Sequence, residues 1–207
     1  MLELFLTAFV SFFVVIDPPG CAPIFFGLTN GATRAQRNRM AIRAVTVATI
    51  ILLVFAWVGE PLLRVLGIDL SSFRIAGGIM LFFIALEMVF EKRTQRREDR
   101  AQKIKDTPEV EDVSIFPMAM PMIAGPGSIA TVMLLCARAQ GLEANIAVLA
   151  ALLANLLLML VALLAVAPLM RLLGQQVEAV ITRVLGVILA ALAVQFVVDG
   201  LRGSHLF

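Results

Sequence analysis

Six long apolar runs limit what this chain can fold into more than any other feature. They cover residues 2–27, 41–61, 70–90, 115–137, 144–168 and 179–201. Each run has about 20 residues or more, the length that an α-helix needs to cross the hydrocarbon core of a bilayer. The sequence therefore predicts an all-α, polytopic membrane protein with six transmembrane helices.

The composition leaves no room for a separate soluble domain. Apolar residues make up 60% of the 207 residues and charged residues 15%, whereas soluble domains are about half apolar and about a quarter charged. This excludes a soluble enzyme, and the sequence carries no motif that indicates catalysis, a metal or a cofactor. The formal net charge of +2 is too small to indicate a nucleic-acid partner. The partner that the composition predicts is the lipid bilayer.

One long polar stretch divides the chain into two units. Residues 91–114 hold seven Lys and Arg residues interleaved with seven acidic residues, which is typical of a solvated linker. The linker separates a first three-helix unit, residues 1–90, from a second, residues 115–207. Thirteen of the 17 Lys and Arg residues fall on the linker side of the membrane. The positive-inside rule makes that side cytoplasmic and places the N- and C-termini outside.

The two units share landmarks at a nearly constant spacing. The motif Ile-Asp-Pro-Pro-Gly at residues 16–20 corresponds to Ile-Ala-Gly-Pro-Gly at residues 123–127, 107 residues later. Residues 61–67 correspond to residues 168–174 at the same offset. Because each unit has an odd number of crossings, the second unit must enter the membrane from the opposite face. The sequence thus predicts an inverted 3+3 repeat, the plan of many secondary transporters.

Both copies of the motif are expected to interrupt a membrane helix, giving broken helices 1 and 4. Proline removes a backbone donor and clashes with the preceding turn, and glycine permits conformations that other residues avoid. The half-helix that starts at each break presents unbonded N–H groups and the positive end of its dipole, which attract an anion. We therefore predict a substrate site between the breaks, near the bilayer midplane. The candidate substrate-binding residues are Asp17, Pro18, Pro19, Gly20, Ala124, Gly125, Pro126, Gly127, Ser128 and Asn155.

Two polar side chains among these candidates each have two interpretations. Asp17 is predicted either to cap the half-helix that starts at Pro18 or to bind a substrate ammonium or carry a coupling proton. The matching residue in the second unit is Ala124, so only the first unit offers this group. Asn155, in the fifth crossing, is predicted either to line a cavity or to form an interhelical hydrogen bond.

These motifs resemble those of the MarC family of bacterial inner-membrane proteins, which includes the SnatA-type small neutral amino acid transporters and resembles the LysE-type exporters. The resemblance covers essentially the whole chain and rests on residues 16–23, Thr29 and residues 121–128. It implies transport of small neutral amino acids such as glycine, alanine and serine, coupled to H⁺ or Na⁺, across the bacterial cytoplasmic (inner) membrane. The direction of transport, the coupling ion and formation of a homo-oligomer stay open.

Two other functions are kept as alternatives. The three-plus-three plan with Cys21 next to a break is similar to the membrane thiol–disulfide carriers of the CcdA and DsbD type. Such a carrier needs two thiols that can meet, whereas Ser128 occupies the position that matches Cys21 and the other cysteine is Cys136. The second alternative is a membrane scaffold that transports nothing.

Overall fold

Apolar runs in a bilayer must satisfy their backbone hydrogen bonds internally, and helices do so within one segment. A computed structural model describes residues 1–90, 112–139, 141–168 and 175–204, which contain helices and no strands. The principal helical segments are α1 (Leu2–Ile16), α2 (Pro18–Leu28), α3 (Arg34–Val65), α4 (Leu70–Val89), α5 (Ser114–Ile123), α6 (Pro126–Arg138), α7 (Leu142–Leu164) and α8 (Gln175–Gly203).

Five stretches of the described residues are long and apolar enough to cross a membrane. They are Leu2–Leu28, Arg34–Val65, Leu70–Val89, Leu142–Leu164 and Val180–Gly203. The first of these combines α1 and α2. The pair α5 and α6, bent by 51°, supplies a sixth if it is counted as one crossing. The prediction of an all-helical membrane protein is therefore confirmed, with five to six candidate spans.

Parts of the predicted charge and repeat pattern lie outside the described residues. These parts are residues 91–111 of the linker with its seven cations, Arg171, and the second copy of the Pro-to-Gly stretch beyond Pro168. The end of the linker is described. There, Arg43 of α3 pairs with Asp112, and Asp112 accepts a hydrogen bond from the Ser114 N–H at 2.9 Å. The start of α5 is thereby tied to α3.

The Asp112 carboxyl, which lies outside the predicted spans, has a shifted pKa. Partial burial acts to raise the pKa, but hydrogen bonds from Ser114 and the positive charge of Arg43 outweigh burial and hold the pKa below its ordinary value of 3.8. Asp112 is therefore ionised at neutral pH, as the pair with Arg43 requires.

Helix α3 begins earlier than the apolar pattern indicates. The predicted span starts at residue 41, whereas α3 starts at Arg34. The reason is a capping box, in which Thr33 Oγ1 accepts the Gln36 N–H at 3.3 Å and Gln36 Oε1 accepts the Thr33 N–H at 2.9 Å. Because these bonds satisfy backbone groups at the helix start, the helix extends past its apolar part.

Helices α4 and α8 form the most extensive helix pair, and glycines allow their close approach. A Cβ atom at Gly78 would lie 2.7 Å from the Ala193 carbonyl oxygen, and one at Gly186 would lie 3.1 Å from the Ala85 carbonyl oxygen. Lipid tails are as apolar as leucine, so membrane helices gain stability mainly from close packing of this kind. The two helices therefore pack closely at Gly78 and Gly186.

We expect Gly78→Ala to destabilise the fold by about 1–3 kcal/mol, because the new methyl group meets backbone atoms of α8 that cannot move aside. The matched control is Gly27→Ala, since a Cβ at Gly27 meets nothing within 4 Å. Thermal unfolding in detergent measures the effect, with a melting temperature lower by several degrees for Gly78→Ala alone. Equal melting temperatures for the two variants would contradict this account of the α4–α8 pair.

The first span lies at the centre of the helix bundle. In its most apolar window 56% of the residues are buried, against 28% in the windows of α3 and of α4. Helix α1 packs against α6, α7 and α8, and α2 packs against α5, α7 and α8. The junction of α1 and α2 is thus surrounded by helices of the second half of the chain.

Candidate functional site

The first interruption lies at Asp17, between α1 and α2. Asp17 has φ 59° and ψ 64°, in the left-handed region, which aspartate and asparagine tolerate better than most residues. Its backbone N–H donates to the Phe13 carbonyl at 2.9 Å and completes α1. Its carboxylate Oδ1 accepts the Gly20 N–H at 3.1 Å and caps α2. The prediction that Asp17 caps the following helix is confirmed.

The carboxylate of Asp17 lies directly over the first turn of α2. A Cβ at Gly20 would lie 2.4 Å from Asp17 Oδ2, so only glycine fits beneath the carboxylate. Asp17, Pro18 and Gly20 are buried and Pro19 is partly buried. Proline suits the first turn of a helix because its missing N–H would have no partner there. Sequence reasoning thus placed all four residues at one helix start.

The segment before the second interruption, α5, is not a regular α-helix. Phe116 (φ −125°, ψ 125°) and Met120 (φ −134°, ψ 125°) have extended backbones. Each precedes a proline, Pro117 or Pro121, and proline disfavours the helical conformation in the residue before it. The sequence prediction placed the interruption only at residues 124–127. The two X-Pro pairs, which are visible in the sequence, were the signal for a longer irregular segment.

The second interruption lies at Ala124 and Gly125, and α6 begins at Pro126. Gly125 has φ −79° and ψ 172°, a conformation open to any residue, so backbone freedom does not explain the glycine. The lack of space explains the glycine, because a Cβ at residue 125 would lie 2.3 Å from the Pro121 carbonyl oxygen. The chain can fold back on α5 only where residue 125 has no side chain.

The two helix starts differ in their electrostatics. The carboxyl group of Asp17 caps the start of α2, whereas no side chain in the described part of the chain caps the start of α6. The first hydrogen bond of α6 runs from the Ile129 N–H to the Gly125 carbonyl at 3.0 Å. The amides of Gly127 and Ser128 lie before this bond, at the open end of the helix. Both residues are buried. The start of α2 therefore presents a carboxyl group, and the start of α6 presents uncapped amides, which attract an anion.

The first turn of α6 packs against the end of α1. A Cβ at Gly127 would lie 3.3 Å from Val15 Cγ1 and 2.7 Å from Ile84 Cδ1 of α4. Val15 precedes Asp17 by two residues. The structure thus brings the start of α6 next to the chain that leads into the first interruption.

Asn155 lies on α7 and contacts α1 eight residues before the first interruption. Its Nδ2 donates to the Phe9 carbonyl of α1 and to the Ala151 carbonyl, both at 3.0 Å. The expected interhelical hydrogen bond is thus present. Phe9 precedes Asp17 by eight residues, or about 12 Å along a helix axis. Asn155 Oδ1 is buried and has no hydrogen-bond partner among the described residues, which costs about 1–3 kcal/mol.

An arginine that the sequence reasoning did not single out caps the other end of α2. Arg37 Nε donates to Thr29 Oγ1 at 3.2 Å, and Nη2 donates to the Thr29 carbonyl at 3.4 Å. The guanidinium carbon also lies 5.4 Å from the centroid of the Phe26 ring. A cation at a helix C-terminus is stabilised by the helix dipole. Helix α2 is therefore held at both ends by charged side chains.

Cys21 and Cys136 form no disulfide in the part of the chain that the structure describes. Cys21 is buried in the first turns of α2, and its Sγ lies 3.5 Å from the Ile16 carbonyl. Ser128 is buried at the start of α6, and Cys136 lies eight residues further along the same helix. At about 1.5 Å per residue, Cys136 is about 12 Å from Ser128 along α6.

Comparison with known proteins gives a consistent result. The profile of a family described as "MarC family integral membrane protein" matches residues 2–205. A UPF0056 membrane protein of Methanocaldococcus jannaschii is 36% identical over 99% of both chains. The UPF0056 membrane protein YvbG of Bacillus subtilis is 35% identical over 98% of this chain and 96% of its own. YhcE of Escherichia coli, named likewise, is 33% identical over 94% and 90%. No solved structure matches.

Proposed function

Since the chain belongs to the MarC family of integral membrane proteins, we propose that it is a secondary transporter of small neutral amino acids such as glycine, alanine and serine. It acts in the cytoplasmic membrane, with both termini outside. Residues 1–90 and 115–207 are its two inverted repeat units, joined by a cytoplasmic linker. The substrate site lies between the interruptions at Asp17 and Gly125.

The pattern of helix contacts supports the inverted repeat. A two-fold axis that exchanges the two units would exchange α1 with α5, α2 with α6, α3 with α7 and α4 with α8. The contact of α1 with α7 would then become that of α5 with α3. The axis would likewise exchange α2–α7 with α3–α6, and α2–α8 with α4–α6. All six of these contacts are present, whereas among the described residues the α1–α8 contact has no counterpart of similar extent between α4 and α5. In transporters built this way, the units rock against each other around a site near the midplane.

The observation that carries the proposal is the contact of Gly127 with Val15, which joins the start of α6 to the chain just before Asp17. A neutral amino acid is a zwitterion and needs one group for each charge. The uncapped amides of Gly127 and Ser128 suit its carboxylate, and Asp17 suits its ammonium. The close contacts at Gly125 and Gly127 favour a substrate with a small side chain.

Asn155 supplies a further acceptor outside the two helix starts. Its unpartnered Oδ1 faces no described donor, so a substrate N–H that reached it would remove the cost of leaving it unsatisfied. We place this contact about two helical turns from Asp17, on the route along α1 rather than at the interruptions. Coupling to H⁺ or Na⁺ would draw on the same buried acceptors.

Uptake of labelled glycine and alanine into proteoliposomes tests the proposal. Wild-type protein is expected to accumulate both when an ion gradient is imposed, relative to protein-free vesicles. Gly127→Leu is expected to lower uptake at least about tenfold, because the side chain fills the space against Val15 and Ile84. Gly27→Leu is the matched control, since nothing lies within 4 Å of a Cβ at Gly27.

Two other outcomes would replace this function. Wild-type activity in Gly127→Leu would remove the site from the junction of α1 and α6. Absence of uptake, together with absence of thermal stabilisation by any small amino acid, would favour the scaffold. A reversible Cys21–Cys136 disulfide would revive the thiol–disulfide carrier, which the position of Cys136 far along α6 does not favour.

A further inference from the structure

A cavity of about 610 Å³ lies away from the interruptions, between α3, the last turns of α6 and the start of α7. The lining residues that matter here are Trp57, Glu60, Arg64, Met133, Cys136 and Asn145. Glu60 is the first charged residue of α3 after Arg43, so the cavity lies where the apolar part of α3 ends. On the proposed topology, this level is the membrane–water boundary opposite the linker.

The rim of the cavity carries one charge of each sign. Glu60 Oε1 accepts a hydrogen bond from Arg64 Nη2 at 2.8 Å, and the two side chains are 54% and 81% exposed. A pair so exposed contributes little to stability. It can therefore open at little cost and offer its carboxylate and its guanidinium to a ligand. Trp57, 79% exposed, lies on the same helix face one turn from Glu60 and suits an ammonium group.

The inner wall of the cavity leads towards the interruptions. Met133 lines the cavity, and its side chain covers Gly59, where a Cβ would lie 2.7 Å from Met133 Cγ. Met133 follows Pro126, the first residue of α6, by about two helical turns. Met133 therefore lies on α6 between the level of the cavity and the start of the helix.

We propose that this cavity is a second binding site for a zwitterion, in which Arg64 holds the ligand carboxylate and Glu60 holds its ammonium. As the outer entry site of the transport route it rests on the proposed function, although zwitterion binding here does not itself require transport. Asn145 closes the cavity from α7, because its Nδ2 donates to the carbonyls of Ala139 and Gly141 at 3.3 and 2.9 Å.

Alkylation of Cys136 measures occupancy directly, because its thiol lines the cavity. The full chain carrying Cys21→Ser is reconstituted in phosphatidylglycerol vesicles and treated with a maleimide. Labelling that disappears in Cys136→Ser is assigned to Cys136. Saturating glycine is expected to slow this labelling at least about threefold, since only the empty cavity reacts. Acetate and methylammonium, each with one of the two charges, are expected to protect little.

Two variants assign the protection to the charge pair. Glu60→Gln and Arg64→Gln are each expected to abolish protection by glycine while Cys136 remains reactive. Glu3→Gln, on α1 and not among the cavity-lining residues, is the matched control and should retain protection. Undiminished protection in both pair variants would overturn the assignment.

The remaining outcomes separate this site from the transport function. Glycine uptake without protection of Cys136 overturns the entry site and leaves the proposed function standing. Protection without uptake supports the zwitterion site and removes the proposed function. If vesicles containing phosphatidylethanolamine already protect Cys136 without glycine, the occupant is a lipid headgroup and the amino acid assignment is wrong.

Discussion

Asp17→Asn is expected to lower glycine uptake at least about tenfold while leaving the fold intact. Asparagine caps helices about as well as aspartate and tolerates the left-handed backbone that Asp17 adopts. The substitution therefore keeps the bond to the Gly20 N–H while it replaces the carboxyl group with a neutral amide. Loss of one charged partner of the substrate ammonium costs about 1.5–3 kcal/mol, and about 1.4 kcal/mol is a factor of ten.

A second variant separates the cap from the charge. Asp17→Ala loses both, so it is expected to lower uptake and to cost a further 1 kcal/mol or so of stability from the lost cap. Uptake into proteoliposomes and thermal unfolding in detergent, measured on the same preparations, give the two quantities. If Asp17→Asn transports at the wild-type rate, Asp17 is a helix cap and nothing more, and the substrate ammonium binds elsewhere.

Gly125→Ala is expected to abolish transport. The added methyl group would lie 2.3 Å from the Pro121 carbonyl oxygen, which belongs to the backbone and cannot rotate away. The chain must then move apart between α5 and α6, at a cost of about 3 kcal/mol or more for an overpacked position. Such a shift displaces the start of α6, and uptake per folded protein should fall about a hundredfold.

The control for Gly125→Ala is the same exchange at Gly27, where the methyl group meets open space. Gly27→Ala should transport at the wild-type rate, because its methyl group displaces nothing. Alanine is also the better helix former within α2, by about 1 kcal/mol. Normal uptake by Gly125→Ala would show that the close approach to Pro121 has no role in the site.

The number and type of elements could be predicted because they depend on local properties of the chain. Run length and apolar content identify a membrane helix wherever it lies, and proline with glycine identifies its interruptions. The start of α3 was less predictable from hydropathy alone, since the Thr33–Gln36 capping box extends the helix into polar sequence. The irregular backbone of α5 could also have been predicted, because Pro117 and Pro121 are visible in the sequence, but the prediction covered only residues 124–127.

The sequence could nominate candidate site residues by type and motif, but it could not give their mutual placement. Asn155 was chosen as a candidate because it is polar, yet its side chain bonds to Phe9, about two turns from Asp17. Arg37, which holds the end of α2, carries no motif that distinguishes it from its neighbouring arginines. A hydrogen bond between distant segments depends on how the helices pack. The sequence does not reveal this packing, because an apolar helix face has the same composition whether it contacts lipid or protein.

The sequence by itself determined that the chain is a polytopic helical membrane protein, because backbone groups in lipid must bond within their own segment. Only the tertiary structure decided that Gly127 meets Val15, that Asp17 closes over Gly20, and that Gly78 meets Ala193. In each case the deciding quantity is a distance of a few ångströms between groups, and helix packing sets such distances with no trace in composition or periodicity.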